Sequence, residues 1–269
     1  MTEGVDRRRG EMLREMGISP LWRLRAAEPV QAVAEAVAEA VAEKAAEPAA
    51  PLARTLGVAE PQAMPVLAPS GAVAGVAAMD WPALKSCVAA CTACSLHQAR
   101  NKTVFGVGDE RADWLIVGEG PGADEDAQGE PFVGQAGKLL DNMLAAINLK
   151  RGSNVYIANI VKCRPPGNRN PQQDEAQACS AYLQRQIELI QPKLIIALGK
   201  VAAVNLLGRD ATISSLRGSV HDCRGIPLIV TYHPAYLLRT LPDKAKAWED
   251  LCFAVNTMQH LQSHTVAAT

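Results

Sequence analysis

The apolar positions of this chain change character along its length. In the last two-thirds they form short unbroken runs. Trp114–Gly118 (W-L-I-V-G), Val155–Ile160, Leu194–Leu198 (L-I-I-A-L) and Leu228–Tyr232 read as strands buried on both faces. Between and after them the apolar spacing turns helical. Gly134–Ile147 places Leu139, Leu140, Met143, Leu144 and Ile147 on one stripe, and Asp174–Ile190, Val201–Leu207 and Lys244–Leu261 read as further helices. Apolar strands alternating with helices predict an α/β domain with a mostly parallel four-stranded sheet covered on both faces. Ligands in such folds sit at the carboxyl ends of the strands. Three unusual loops follow strands here: G-E-G-P-G, N-I-V-K-C and H-P-A-Y-L.

The first 79 residues follow another pattern. Arg7–Ala27 carries Met12, Leu13, Met16, Ile18, Leu21, Trp22 and Leu24 in a short amphipathic stretch, broken or kinked at Pro20. Ala32–Ala46 is a near four-residue Ala/Val/Glu repeat of strong helix formers, whose valine stripe buries little. Glu47–Met79, rich in Ala, Pro, Val and Gly, reads as a flexible linker. Residues 1–79 are therefore expected to be a largely disordered extension, and 80–269 the folded domain. The extension is read either as a tether or as a docking helix for a protein partner around Leu13–Leu24.

Composition narrows the class. The 269 residues are 48% hydrophobic but only 4% aromatic, so each Phe, Tyr or Trp in a loop calls for a reason. No apolar run reaches the roughly eighteen residues of a membrane span, and no secretory signal follows Arg7–Arg9. Net charge is −1, which excludes a strongly basic nucleic-acid binder but not a basic face. Seven cysteines, an odd number without small-scaffold spacing, point to a reducing cytoplasm with metal-bound or free thiols.

Four of those cysteines stand out. Cys91 and Cys94 form C-T-A-C; Cys163 follows the Val155 strand run, and Cys179 lies sixteen positions later. The outline is that of a four-thiolate site. Spacing leaves three readings open: an iron–sulfur cluster, zinc, or unrelated buried cysteines. Cys87, four before Cys91, is a rival ligand. Cys223 and Cys252 read as ordinary buried small residues.

The loops hold the other candidates. In Gly118–Asp126 (G-E-G-P-G-A-D-E-D) the glycines let backbone N–H groups approach a ligand, and Glu119 and Glu125 are the carboxylates of interest; the plainer reading is a solvated acidic turn. Phe132, in a Gly/Pro-rich loop, either packs in the core or stacks on a flat ring. Asn159 ends a strand, where its amide both caps turns and suits an imide edge. His233 follows the last strand; most histidines are structural, but one facing two other loops is placed for catalysis.

In their order along the chain, C-T-A-C-S-L, G-E-G-P-G-A-D-E-D, P-F-V-G-Q-A-G-K-L-L, Y-I-A-N-I-V-K-C-R-P-P-G-N-R-N-P, Cys179 and H-P-A-Y-L-L-R resemble the iron–sulfur-containing family 4 (type-4) uracil-DNA glycosylases. The match runs from about Cys91 to Arg239 and leaves the extension outside. The resemblance implies a three-layer αβα sandwich. It implies a DNA-repair enzyme that flips uracil from single- or double-stranded DNA, hydrolyses its N-glycosidic bond and leaves an abasic site. By motif position, backbone at Glu119 and Gly120 faces the base, Phe132 stacks on it, Asn159 bonds its imide edge and His233 sits by O2. Leu237 matches the superfamily's intercalating wedge, and Cys91, Cys94, Cys163 and Cys179 match the [4Fe–4S] ligands. Lys162, Arg164, Arg169 and Arg239 are the expected phosphate contacts.

One departure bears on mechanism. Better-known uracil glycosylases carry a water-activating carboxylate where this chain has Gly120, so Glu125 is expected to activate water, with Glu119 supporting the loop. The K-R-R-I-H insertion of covalent uracil-binding relatives is absent from Lys162–Cys179, which predicts turnover. Two other readings compete: a non-catalytic DNA- or polymerase-associated module, and a nucleotide hydrolase with structural zinc.

Overall fold

The computed structural model describes residues 75–266. The Arg7–Ala27 and Ala32–Ala46 segments, and most of the Glu47–Met79 linker, lie outside them. The linker's last residues belong to the domain: Val76–Ala78 form a 3-10 turn with Val76 buried, and Arg185 Nε donates to the Met79 carbonyl at 2.7 Å.

Among the described residues one six-stranded sheet forms. Its strands are β1 (Val107–Gly108), β2 (Trp114–Gly118), β3 (Val155–Asn159), β4 (Leu194–Leu198), β5 (His221–Cys223) and β6 (Ile226–Thr231), in the order β1-β3-β2-β4-β6-β5. The four inner strands are parallel, as the apolar runs predict. The expected four-stranded sheet is extended by β1 and β5, which pair antiparallel at its two edges. Two residues, V-G, and the polar triplet H-D-C are too short and too mixed to announce themselves as strands.

The helices are α1 (Trp81–Ala89), α2 (Ala123–Gln128), α3 (Gln135–Ala146), α4 (Gln173–Ile190), α5 (Gly199–Leu207), α6 (Ile213–Leu216), α7 (Pro234–Arg239) and α8 (Lys244–Val266). α1 starts where Asp80 accepts the Ala83 N–H at 3.0 Å with Pro82 in the first turn, where proline costs no hydrogen bond. α4 starts at Gln172, whose N–H is taken by Glu175 at 2.8 Å, and stops at Gln191 in the left-handed region. No described helix is long and apolar enough to cross a membrane.

Side-chain alternation splits the core between the two faces of the sheet. Leu115, Val117, Tyr156, Ala158, Ile195 and Ala197 face one cluster, which α1, α4 and α5 complete. Trp114, Ile116, Val155, Ile157, Leu194 and Ile196 face the other, which α3, α7 and α8 cover. The result is an αβα sandwich. Each fully buried Leu or Ile in it contributes about 1.5–3 kcal/mol.

Register brings the strand ends together. Gly118 pairs with Asn159, Val117 with Ala197, and Leu198 with Thr231. From β2 the chain steps outward to β3, then crosses back to β4 on the other side. That reversal opens the crevice in which a doubly wound sheet binds its ligand.

Candidate active site

Gly118, Asn159 and Phe132 meet at the end of β2. A Cβ on Gly118 would lie 2.5 Å from both Asn159 Oδ1 and Phe132 Cζ, so only glycine lets the two side chains share this spot. Asn159 is 2% exposed, and its Oδ1 is the one buried side-chain oxygen or nitrogen without a hydrogen-bond partner among the described residues. Leaving such an acceptor unpaired costs about 1–3 kcal/mol. The strand end thus holds an unmet demand for a donor.

Phe132 is buried, and its φ of 55° is costly for a bulky residue. Arg151 holds it there, donating to the Pro131 carbonyl at 2.7 Å and the Phe132 carbonyl at 2.8 Å. The Phe132 ring leans on the His233 ring, centroids 5.5 Å apart.

His233 caps α7. Its Nδ1 accepts the Ala235 N–H at 3.1 Å, which leaves the proton of the neutral ring on Nε2. Burial, reinforced by Arg239, pushes its pKa down to about 4, so the imidazole is a neutral Nε2–H donor at physiological pH.

The two glutamates sit in different surroundings. Glu125 was expected to activate water. Instead its Oε1 accepts from Val133 N at 2.9 Å and Gly134 N at 3.0 Å, and its Oε2 from Gly122 N at 3.0 Å. Both oxygens clasp the loop before α3 to the start of α2. The Glu119 carbonyl accepts the Val161 N–H at 3.3 Å, but its carboxylate makes no hydrogen bond or ion pair among the described residues, and burial pushes its carboxyl up. Gly120 packs against Val161: a Cβ there would lie 2.8 Å from Val161 Cγ2.

Two further expectations change. Leu237, the expected wedge, is 1% exposed and packs in the core beneath α7, whereas its neighbour Leu238 is 42% exposed. A helix turns about 100° per residue, and a motif count four positions past His233 lands on the inward face. Lys162, expected at a phosphate, is 1% exposed, and its ammonium donates to the Asn159 carbonyl at 2.9 Å and to Gln186 Oε1 at 2.6 Å. Of the expected phosphate contacts, Arg164 bonds Asn168 and Arg169 pairs with Glu175, while Arg239 is exposed without an ion pair or hydrogen bond among the described residues.

Cys91, Cys94, Cys163 and Cys179 line one cavity on the other side of β3, together with Arg100 and Lys162. Cys87 is not part of its lining; its sulfur faces the Tyr182 hydroxyl at 3.7 Å. Cys163 Sγ accepts from Arg100 at 3.1 Å and Cys179 Sγ from the Lys162 N–H at 3.3 Å. Burial pushes the thiols of Cys94, Cys163 and Cys179 up, Cys179 to about 12, so a metal group has to displace their protons. Among the described residues no three His, Cys, Asp or Glu converge on a single-ion position.

Glu175 ties this side together and was not foreseen as such. Its buried carboxylate takes two bonds from Arg169, at 2.8 and 2.6 Å, one from Gln172 N and one from Ser95 Oγ. The Gln172-x-x-Glu175 capping pattern was the available signal. Asp126, fully buried, takes both the N–H and the amide of Asn101 at 2.9 and 2.7 Å.

An αβα sandwich thus gathers an unmet amide, an aromatic ring and a neutral histidine at the carboxyl ends of its parallel strands. The chain belongs to the uracil DNA glycosylase superfamily, whose family model matches residues 105–252. Its relatives place it among the type-4 members. It is 46% identical over 159 residues to the type-4 uracil-DNA glycosylase of Archaeoglobus fulgidus, covering 56% of this chain and 79% of that protein. The Pyrobaculum aerophilum protein of the same name is 41% identical over 181 residues, covering 64% and 92%. That of Thermotoga maritima is 46% identical over 158 residues, covering 58% and 82%.

Proposed function

We propose that this chain excises uracil from DNA with Asn159, Phe132, His233 and Glu119 as its working side chains. That it is a uracil-DNA glycosylase of DNA repair follows from its family; the assignment of parts is our reading. The observation that carries it is the unpaired Oδ1 of Asn159. Uracil N3–H supplies the missing donor, and the Asn159 amide meets O4. Cytosine offers an acceptor at N3 and a donor at its 4-amino group, and so leaves both amide atoms mismatched in a buried site.

The base must leave the stack to get there, and uracil mispaired with guanine is cheapest to extrude. Phe132 stacks on the flipped ring. As the glycosidic bond breaks, negative charge gathers on uracil, and the His233 Nε2–H at O2 stabilises it as it develops. Glu119, partly desolvated and unpaired, accepts a proton from the attacking water. Glu125 holds the loop that carries it. Leu238, exposed on α7, fills the gap left in the stack, and Arg239 beside it binds phosphate.

The four cysteines are read as ligands of a [4Fe–4S] cluster. The four cysteines line one cavity with Arg100 and Lys162, a donor set of four thiols that suits an iron–sulfur cluster. A bound cluster would cross-link the loop after α1, the loop after β3 and α4, and would supply no step of the hydrolysis. Seven cysteines with no disulfide among the described residues suit a reducing cytoplasm.

The test is a single-turnover assay on an oligonucleotide carrying one deoxyuridine. Free uracil should be released, and Asn159→Ala should lower the rate about 10²- to 10³-fold. Unchanged release by Asn159→Ala would remove the amide from base recognition.

A further inference from the structure

Between the base site and the cysteine cavity stands one buried cation. Lys162 is 1% exposed and lines the cavity. Its main chain and side chain are both tied to α4. The Lys162 N–H donates to Cys179 Sγ at 3.3 Å, and its ammonium donates to Gln186 Oε1 at 2.6 Å. Cys179 and Gln186 are seven residues apart, two turns along one helix face. Gln186 is itself fully buried and fixed, its amide donating to the Phe105 carbonyl at 2.9 Å. The remaining bond of the lysine runs the other way, to the Asn159 carbonyl at 2.9 Å. Asn159 is the last residue of β3, and the peptide after it is gripped at its other end from β2, the Ile160 N–H donating to the Gly118 carbonyl at 3.0 Å.

A buried ammonium placed on two neutral oxygens is an expensive way to fill space. An apolar side chain of the same length would fill the space but take this donor from the Asn159 carbonyl and Gln186 Oε1. What the ammonium adds is direction: with the Ile160 N–H held by Gly118, it anchors the carbonyl end of the peptide plane that follows the Asn159 Cα, and through it the path of the Asn159 side chain toward the base. A shift of 1 Å at that amide is enough to cost about a hundredfold in rate.

We infer that Lys162 is a positioning residue for base recognition, holding Asn159 in its reading geometry by bracing it against the helix face that carries Cys179 and Gln186. The inference rests on the assignment of Asn159 to the uracil imide edge. It makes selectivity depend on a residue that touches neither substrate nor solvent.

A double-mutant cycle separates this from a merely structural contribution. Lys162→Met keeps the length and removes the bonds. It should lower single-turnover cleavage about ten- to hundredfold, with affinity for uracil-containing DNA little changed. The broad visible absorption of the loaded protein should remain. In an Asn159→Ala background, where no amide is left to aim, the same substitution should change the rate by less than about twofold. Equal losses in both backgrounds, or no loss in the parent, overturn the inference. If Lys162→Met fails to fold or loses the absorption, Gln186→Leu runs the same cycle, since it removes the lysine's anchor and not the lysine. A coupled loss there supports the inference, and an additive or silent one overturns it. A silent Asn159→Ala sinks the base-reading assignment and this inference together; a damaging Asn159→Ala with an additive cycle sinks the inference alone.

Discussion

The two sides of β3 are built on opposite rules. On the cysteine side charges and donors are satisfied several times over: Glu175 accepts four hydrogen bonds from three residues, and Arg100 and the Lys162 N–H donate to Cys163 and Cys179. On the other side Glu125 is as fully bonded, but the groups nearest the base site are left wanting. Asn159 Oδ1 has no donor, the Glu119 carboxylate has no partner among the described residues, and Phe132 sits at a costly φ. Unpaired groups of this kind collapse or turn to water unless the frame around them resists. The contrast teaches where the rigidity of this fold is needed: the overdetermined side holds the underdetermined side open.

The sharpest way to break that comparison is to treat the two glutamates alike. Glu119→Gln should lower single-turnover cleavage about 10²- to 10⁴-fold and leave the melting temperature nearly unchanged. Glu125→Gln should do the reverse, costing about 1–3 kcal/mol in denaturant unfolding because three backbone N–H groups lose a charged acceptor. If Glu125→Gln abolishes cleavage in a fully stable protein, the parts have been assigned the wrong way round.

A second contrast lies within one helix. Leu237→Ala removes a core side chain and should cost about 2–5 kcal/mol of stability. Leu238→Ala should cost almost none, yet slow cleavage of duplex more than of single-stranded substrate, because only a duplex has a gap to fill. Equal slowing on both substrates would deny Leu238 the wedge position.

The smallest effect is a difference in acid response. The His233 pKa falls from 6.5 to about 4 on folding, so between those values the unfolded chain binds more protons. Its contribution to stability is therefore intact above pH 6.5 and lost as pH falls toward 4. Glu175 is held at about 2, chiefly by Arg169, so its contribution is intact above 4.5 and lost only as pH falls toward 2. Glu119, raised by burial, runs opposite and loses stability as pH rises past 4.5. Melting curves from pH 7 to 3 should show His233→Ala flattening the upper part of the slope and Glu175→Gln the lower part. Identical slopes in both variants would contradict the assignment.

Much of this was legible in the chain. Trp114–Gly118 and Leu194–Leu198 are strands to the residue, because a strand buried on both faces must be apolar throughout. The loops at the strand ends could be found because parallel topology sends them to one edge. The rest depended on direction, which spacing does not carry. Leu237 and Leu238 are adjacent and equally apolar, and only the phase of a six-residue helix decides which one faces solvent. Lys162 reads as a surface cation until the strand before it is seen to run beneath α4. Glu119 and Glu125 differ only in which one meets three backbone N–H groups, and that is a property of the folded loop.

The contact between Gly120 and Val161 has an evolutionary edge. The position where better-known uracil glycosylases carry their carboxylate is here closed by a methyl group 2.8 Å from where a Cβ would begin. A single step to aspartate at 120 would collide before it could help. A lineage passing from one catalytic arrangement to the other has to change both positions, and the order in which it does so decides whether the intermediate still works.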